Sequence, residues 1–495
     1  MADLSYGSPA TANGSQGERL PFSAIPKRWP LVTTDQHRSA ETSEIEKDAR
    51  LVNCYAELEP MSGDYQIEKR PGLGSSVAIG ANGDIGLGMF SWNTIAGGSA
   101  IYSIFNNKVY RGVVAFAGTV NTQGSYRFEI VGVGAAQKLA FGNGFDGYYT
   151  DGVNVTHIVD VDFPSDFCRG FAYLDGTLYV MRIDGGIQGS AIDDPANWDP
   201  LNLVFARSAP GDGVALIRHL TYVVALKTTS TEAFYDAGNP TGSPLSRVDG
   251  GFIAVGCRSA DSVGEVDGMH FWLSLSNQSK TLQIVKLENL QISVVSTPPI
   301  ERVLTKFMTV NNSIQGYCLK IVGHRFYIIT ELSAAFALVY DIDQKLWYQW
   351  YSVTNWPFVS AAPGVVTTNF FQWIQHTTTG KVYQVDSDYV FPNDDGTLFP
   401  VDIYTPNVDF GIRRKKSLNA IMINADQTRG SELLVRSSED DYTNWTNFRK
   451  VNLGLRQPIL SGLGSFFKRA YNFRHFKNTS FRIQSVDLQM DLGTF

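Results

Sequence analysis

The sequence predicts an all-β protein: an irregular β-propeller of six or seven blades, followed by a C-terminal β-sandwich-like domain and preceded by an extended N-terminal arm. Three observations lead there. Aromatic residues make up 12% of the chain and 46 of its 495 residues are Gly, a composition that suits rings packed on pleated surfaces and tight turns between them. A turn phrase followed by a short aromatic run recurs from about residue 80 to residue 388. Near Phe399-Pro400 both the pattern and the charge change. The length exceeds one ordinary core, and 43% hydrophobic residues supply enough material for two or three.

The recurring phrase carries most of the weight. Asn106-Asn107 precedes Val109-Tyr110, Asp146-Gly147 precedes Tyr148-Tyr149, and Asp175-Gly176 precedes Leu178-Tyr179. His219-Leu220 opens Tyr222–Leu226, Asp267-Gly268 leads to Phe271-Trp272, Gly323-His324 to Phe326-Tyr327, and Gly380-Lys381 to Val382-Tyr383. With Tyr110, Tyr149, Tyr179, Val224, Phe271, Tyr327 and Tyr383 as anchors, the steps are 39, 30, 45, 47, 56 and 56 residues. Units of roughly 40–50 residues built from short antiparallel strands are the mark of propeller blades, each too small to bury its own faces. A string of separate β-sandwiches is the competing account. The densest stretch, Gly250–Tyr340, reads as one blade and part of the next, with Trp272 and Tyr327 packing between neighbours.

The remaining elements follow in order. Residues 1–50 form an arm whose first part, to about residue 30, is rich in Gly, Ser, Ala, Thr and Pro, with a short helix expected at Ser39–Ala49, where Ser43 is a candidate N-cap. The propeller is expected over 51–400. It opens with strands at Leu51–Glu57 and Tyr65–Arg70, and Lys69-Arg70 reads as a solvated strand end or a contact site. Asp184–Gly213 is expected to be a long loop, with its aspartates starting turns. Residues 401–495 form the sandwich-like platform. Within it, Ser437–Trp445 resembles the Asp-box hairpin of sialidases with its glycine replaced, a structural device.

Charge divides the chain. The net charge is −7 overall, yet residues 401–495 hold 14 Lys and Arg against 9 Asp and Glu, leaving 27 against 39 for residues 1–400. Arg413, Arg414, Lys415 and Lys416 form a run. From Tyr442 to Val486 there are eight basic residues and no acidic one. Among them, Lys468, Arg469, Arg474, Lys477 and Arg482 alternate with Phe466, Phe467, Tyr471, Phe473 and Phe476. These nine basic residues are the candidate partner-facing or DNA-proximal positions; an acidic protein partner or a plain solvated face would use the same pattern.

Catalytic signatures are missing from the sequence: no P-loop, no G-x-S-x-G, no H-E-x-x-H. The four cysteines and seven histidines are scattered, so no metal or cofactor is expected, and the thiols read as reduced. No apolar run approaches the length of a membrane span, and the opening residues lack the pattern of a secretory signal. Paired glycosidase carboxylates have no fixed spacing, so a propeller that binds or cleaves carbohydrate on a host surface stands as the alternative function.

The ordered phrases VNCYAE (52–57), KRPGL (69–73), DDPANWDPLNLVFARSAPGDGV (193–214), TSTEAFYDAGNP (229–240), GFIAVGCRSADSV (251–263), HFWLS (270–274) and ALVYDIDQKLWYQW (337–350) resemble the tail hub, or nozzle, proteins of short-tailed bacteriophages. These are also called packaged-DNA stabilisation proteins. The resemblance implies a propeller-bearing subunit of a homohexameric ring, assembled in the host cytoplasm and placed below the portal and adaptor of the virion tail. It implies a lumen that retains packaged DNA and conducts it at ejection without sequence-specific binding, and lateral contacts to tail fibres or spikes. It brings no catalytic residues. An acidic body repels phosphates and lets DNA slide, whereas a basic lumen would hold it by counterion release. The basic C-terminal residues are therefore expected mainly at subunit or adaptor contacts.

Overall fold

The computed structural model describes residues 27–31, 49–94, 98–278, 280–307, 313–385 and 392–493. The helix expected at Ser39–Ala49 lies, but for Ala49, outside the described residues. The expected propeller is present and has seven blades of four antiparallel strands. Blades 1 to 6 span residues 86–115, 127–157, 172–205, 213–253, 264–294 and 314–350. Blade 7 takes three strands from residues 358–385 and its outermost from Leu73–Ala78, paired Val382 to Val77 and Tyr383 to Ser76. The circle is thus closed by a strand from the beginning of the chain.

The turn phrases work as expected. Leu174 pairs with Thr177 and Val266 with Met269, leaving Asp175-Gly176 and Asp267-Gly268 as two-residue turns. Both residues of each turn have positive φ, 45° and 92° in the first and 47° and 75° in the second, the geometry that matches the twist of hairpin strands. All seven anchor residues fall in different blades. Tyr110, Tyr149 and Tyr383 lie on third strands, whereas Tyr179, Val224, Phe271 and Tyr327 lie on second strands. That change of strand produces the short step of 30 residues. The first step of 56 contains the helix Pro298–Phe307, unforeseen in the sequence, whose Ile300, Val303 and Leu304 pack into the core between blades 5 and 6.

Neighbouring blades share their cores. Trp272 is fully buried with Val224 and Leu226 of blade 4 and donates from Nε1 to the Gly256 carbonyl at 3.0 Å. Phe271 stacks on Tyr327 at 5.3 Å, and the Tyr327 hydroxyl donates to the Ser262 carbonyl at 2.7 Å. Both rings pack between neighbours, as expected.

Two expectations are corrected. The 184–213 segment is mostly strand: Gly186–Ala191 and Asp194–Phe205 form the outer hairpin of blade 3 around Ile192-Asp193. Register shifts after Gln188 and Ser190 break the alternation that would have marked the strands. Pro195 and Pro200 are tolerated because this strand is the sheet's edge. Secondly, Cys54–Leu58 and Tyr65–Lys69 do not open the propeller. They join the platform sheet, where Ile67 pairs with Ile483 and Glu68 with Arg482.

The platform is two packed sheets around one core that includes Tyr55, Ile67, Val401, Ile421, Leu433, Phe473 and Ile483. One of them continues the propeller. Arg50–Val52 lies between Leu346–Trp350 of blade 6 and Val401–Tyr404, so nine strands form one sheet across both modules. Trp350 Nε1 donates to the Cys54 carbonyl at 3.3 Å, and the Ala56 amide donates to the Tyr348 hydroxyl at 3.0 Å.

Candidate functional site

Two places invite a functional reading: the propeller axis and the basic platform. The axis holds a cavity of about 1060 Å³ lined by the inner strands of all seven blades. One end is closed by contacts that cross it. Arg127 of blade 2 donates to the Ala260 carbonyl ahead of blade 5 at 2.9 Å, and Gln315 of blade 6 donates to Ser125 ahead of blade 2 at 3.2 Å. Arg169 forms an ion pair with Asp261 and donates to the Asn143 carbonyl at 3.1 Å. Burial lowers the pKa of Arg127, against the pull of Asp261.

The opposite end presents Glu129, Tyr173, Arg218 and Glu265. The surrounding walls push the Glu129 carboxyl up to about 8; Arg218 pulls it down and Glu265 adds to the rise. Glu265 is raised in the same way. A cavity of this size suits a small molecule. It cannot pass a duplex whose major groove alone is about 12 Å wide, and its floor is shut.

The nine basic positions separate on burial and pairing. Lys416 and Arg469 are the two of the nine that are buried within the chain. Lys416 is buried and donates to the Ile412 and Arg414 carbonyls at 2.5 and 2.9 Å. Arg469 is buried over Phe466, with its guanidinium on Glu439 at 2.5 Å and the Leu463 carbonyl at 2.7 Å. Arg474 holds Asp402 through two bonds of 2.7 and 3.0 Å. Arg482 holds Asp426 at 2.9 and 3.1 Å, Lys468 pairs with Asp441 at 2.7 Å and Lys477 with Glu432 at 3.4 Å. Arg413, Arg414 and Lys415 are exposed and enter no ion pair among the described residues.

Pairing of Lys416 with Phe466 brings the 413–416 run beside Phe467 and Lys468, so these residues share one tip of the platform. The alternation of rings with charges reflects strands with an inner and an outer face: Tyr471 and Phe473 are core, while Phe467 and Phe476 are exposed. In the same tip, Asp440 accepts bonds from the Asn444 amide and side chain and from Ser438, closing the Asp-box-like hairpin.

Sequence reasoning undervalued Lys69-Arg70. Arg70 is 1% exposed. It bonds Asp394 at 2.6 and 3.0 Å, Asn53 at 3.1 Å and the Tyr351 carbonyl at 3.0 Å, and lies over the Phe399 ring at 3.8 Å. Lys69 donates to the Pro392 and Lys477 carbonyls at 2.6 and 3.2 Å, and burial lowers its pKa to about 8. The pair clasps platform to propeller. Most of its partners are far off in sequence, with Asp394 324 residues from Arg70 and Pro392 323 residues from Lys69, and no local pattern marks them.

No group of three or more His, Cys, Asp or Glu among the described residues is placed to hold a metal. Nor is any described helix long and apolar enough to cross a membrane.

Fold and site define a seven-bladed β-propeller closed along its own axis and fused to a β-sandwich platform. The chain belongs to the phage stabilisation family, Phage_stabilise, described as the bacteriophage P22 Gp10 β-propeller, which it matches over residues 48–362. It is thus a structural, DNA-stabilising phage protein of the virion tail. No curated protein matches it. Among solved structures it is similar to a streptogramin B lyase, at 10% identity over 65% of this chain and 97% of that one, with a TM-score of 0.39. It is also similar to BBS1N in complex with ARL6DN (8% identity, 64% and 98% covered, TM-score 0.41) and to YCF48 bound to D1 peptide (14%, 65% and 100%, 0.37). These likenesses are too distant to bear on function.

Proposed function

We propose that this chain is the subunit of a ring-shaped tail nozzle, a homohexamer seated below the portal and adaptor that retains packaged DNA and conducts it during ejection. The observation that carries the reading is the shut propeller axis. A DNA-stabilising protein whose own axis is closed by Arg127, Arg169 and Gln315 has to form its passage between copies, and a ring is the closed way to do so. The charge division supports it: a body of 27 basic against 39 acidic residues presents phosphates with a repelling wall. The platform tip with Arg413, Arg414 and Lys415 serves subunit or adaptor contacts, and tail fibres or spikes attach laterally. DNA passes without sequence-specific binding, and no step is catalytic.

The test is direct. Purified protein, alone and with its adaptor, is sized in solution and imaged. Rings with a central opening wide enough for duplex DNA are expected. A chain that stays monomeric with adaptor and instead retains or hydrolyses glycans on an array would overturn the proposal in favour of a host-surface propeller.

A further inference from the structure

We infer that the ring closes head to tail, with the basic platform tip of one copy seated on the acidic, aliphatic outer rim of blade 3 in the next. The inference rests on the ring proposed above and names the two surfaces that build it.

The rim comes first. Val159, Val161 and Leu201 are 81%, 93% and 74% exposed. They lie together, because the loop carrying the two valines is tied to the edge strand. Asp160 accepts from the Trp198 amide at 3.2 Å, and Gln188 donates both to the Asp162 carbonyl at 2.7 Å and to the Asp199 carbonyl at 3.4 Å. Large aliphatics grouped on a surface mark a contact. Charge selects the occupant. Residues 146–199 contain ten Asp, no Glu and only two Arg. Both arginines are already engaged, Arg169 with Asp261 and Arg182 with Asp184. A partner for this rim brings positive charge and an apolar group.

The platform tip brings both. Arg413, Arg414 and Lys415 are exposed without an ion pair among the described residues, and Phe467 beside them is 57% exposed. The two surfaces cannot meet within one copy. The platform leaves the propeller at blades 6 and 7, through Arg50–Val52 and Leu73–Ala78. Blade 3 is three blades from each around a circle of seven, so rim and tip lie at opposite ends of the subunit. Complementary patches at opposite ends make a heterologous contact, which generates a ring when the rotation closes and a filament when it does not.

The experiment uses the full-length chain and three variants, checked for wild-type unfolding midpoints. The tip variant is Arg413→Glu/Arg414→Glu/Lys415→Glu. The rim variant is Asp162→Lys/Asp166→Lys; Asp162 joins the turn through its backbone amide, which donates to Asp160 at 2.8 Å, so the substitution leaves that bond in place. The third carries both sets. Assembly is followed by analytical ultracentrifugation against protein concentration. Each single reversal is expected to raise the half-assembly concentration at least tenfold. The combined variant is expected to return within threefold of wild type. So is an equimolar mixture of tip and rim variants, because a ring with an even number of copies can alternate them. Wild-type assembly of either reversal, or loss that neither the combination nor the mixture restores, overturns the pairing while leaving the ring intact. A wild-type chain that never assembles, even with its adaptor, overturns the ring and the pairing together.

Discussion

Replacing Asp394 tests whether the junction between platform and propeller is held by one buried ion pair. Arg70 and Asp394 are 1% and 4% exposed and share two hydrogen bonds, while Asp394 also accepts from the Leu73 amide at 3.2 Å. Asp394→Ala leaves a guanidinium in the interior without its counter-charge, and losses of this kind cost about 3–5 kcal/mol. Arg70→Met strands the carboxylate and is expected to cost a similar amount. The double variant Arg70→Met/Asp394→Leu removes both charges at similar volume and is expected to cost less than either single change, because replacing an entire buried pair is often neutral. Tryptophan emission, to which all nine Trp contribute, follows urea unfolding of the chain, and midpoints with a common slope give the differences. Single changes costing under about 1 kcal/mol, or a double change costing their sum, would refute the clasp.

Further consequences can be measured separately. Burial depresses His270, His376 and His475 to about 3, 4 and 3, each helped by a neighbouring His or Lys. Their stabilisation is present above the unfolded value near 6.5 and is lost as the pH falls towards 4 and then 3. His324 runs the other way: burial opposes its charge, but Asp341 at 2.8 Å outweighs it and raises the pKa, so its contribution is full below about 6.5 and lost as pH rises through the raised value. Glu129 and Glu265, whose carboxyls burial raises, act on the same side as His324, so the test is made by variant: His376→Gln is expected to lessen the loss of thermal midpoint between pH 7 and 4 relative to wild type, and an unchanged loss would refute the assignment. Gly170→Ala places a Cβ 2.2 Å from the Leu216 carbonyl oxygen at a φ of +105°, whereas Gly323→Ala at +81° meets nothing within 4 Å. The first is expected to cost more than the second, whose penalty of about 1–3 kcal/mol is backbone strain alone; equal urea midpoints would contradict the close approach at the axis. The Asn444 amide holds the Asp440 carboxyl at about 2, so Asp440→Ala should speed hydrogen exchange at Asn444 without shifting the global midpoint.

How much of this was readable in the sequence depends on distance along the chain. The turn-and-ring phrases are local, and every anchor from Tyr110 to Tyr383 fell in a separate blade because a hairpin needs only its own residues. The 184–213 hairpin was lost because bulges at Gln188 and Ser190 erase the two-residue period. The helix at Pro298–Phe307 is short, and its apolar positions Ile300, Val303 and Leu304 are too few to outweigh the surrounding strand pattern. The basic residues show the same limit more sharply. Lys415 and Lys416 are adjacent and alike in type, yet one is exposed and the other buried. Which is which follows from the start of strand Lys416–Ala425 and its pairing with Phe466, a contact 50 residues distant that composition does not encode.

The closing strand also fixes an order of events during synthesis. Leu73–Ala78 leaves the ribosome early, but its partner Lys381–Val385 and the Asp394 carboxylate that receives the Leu73 amide emerge much later, Asp394 after 321 further residues. At about 5–20 residues per second that wait is about 16–64 s. Throughout it the growing arc of blades has two open ends and an unpaired strand, each a template for pairing with another nascent chain. Closure therefore acts as a checkpoint: only a chain translated beyond Val385 can complete the circle, and a product cut short of it is left with an open edge that distinguishes it from a closed propeller.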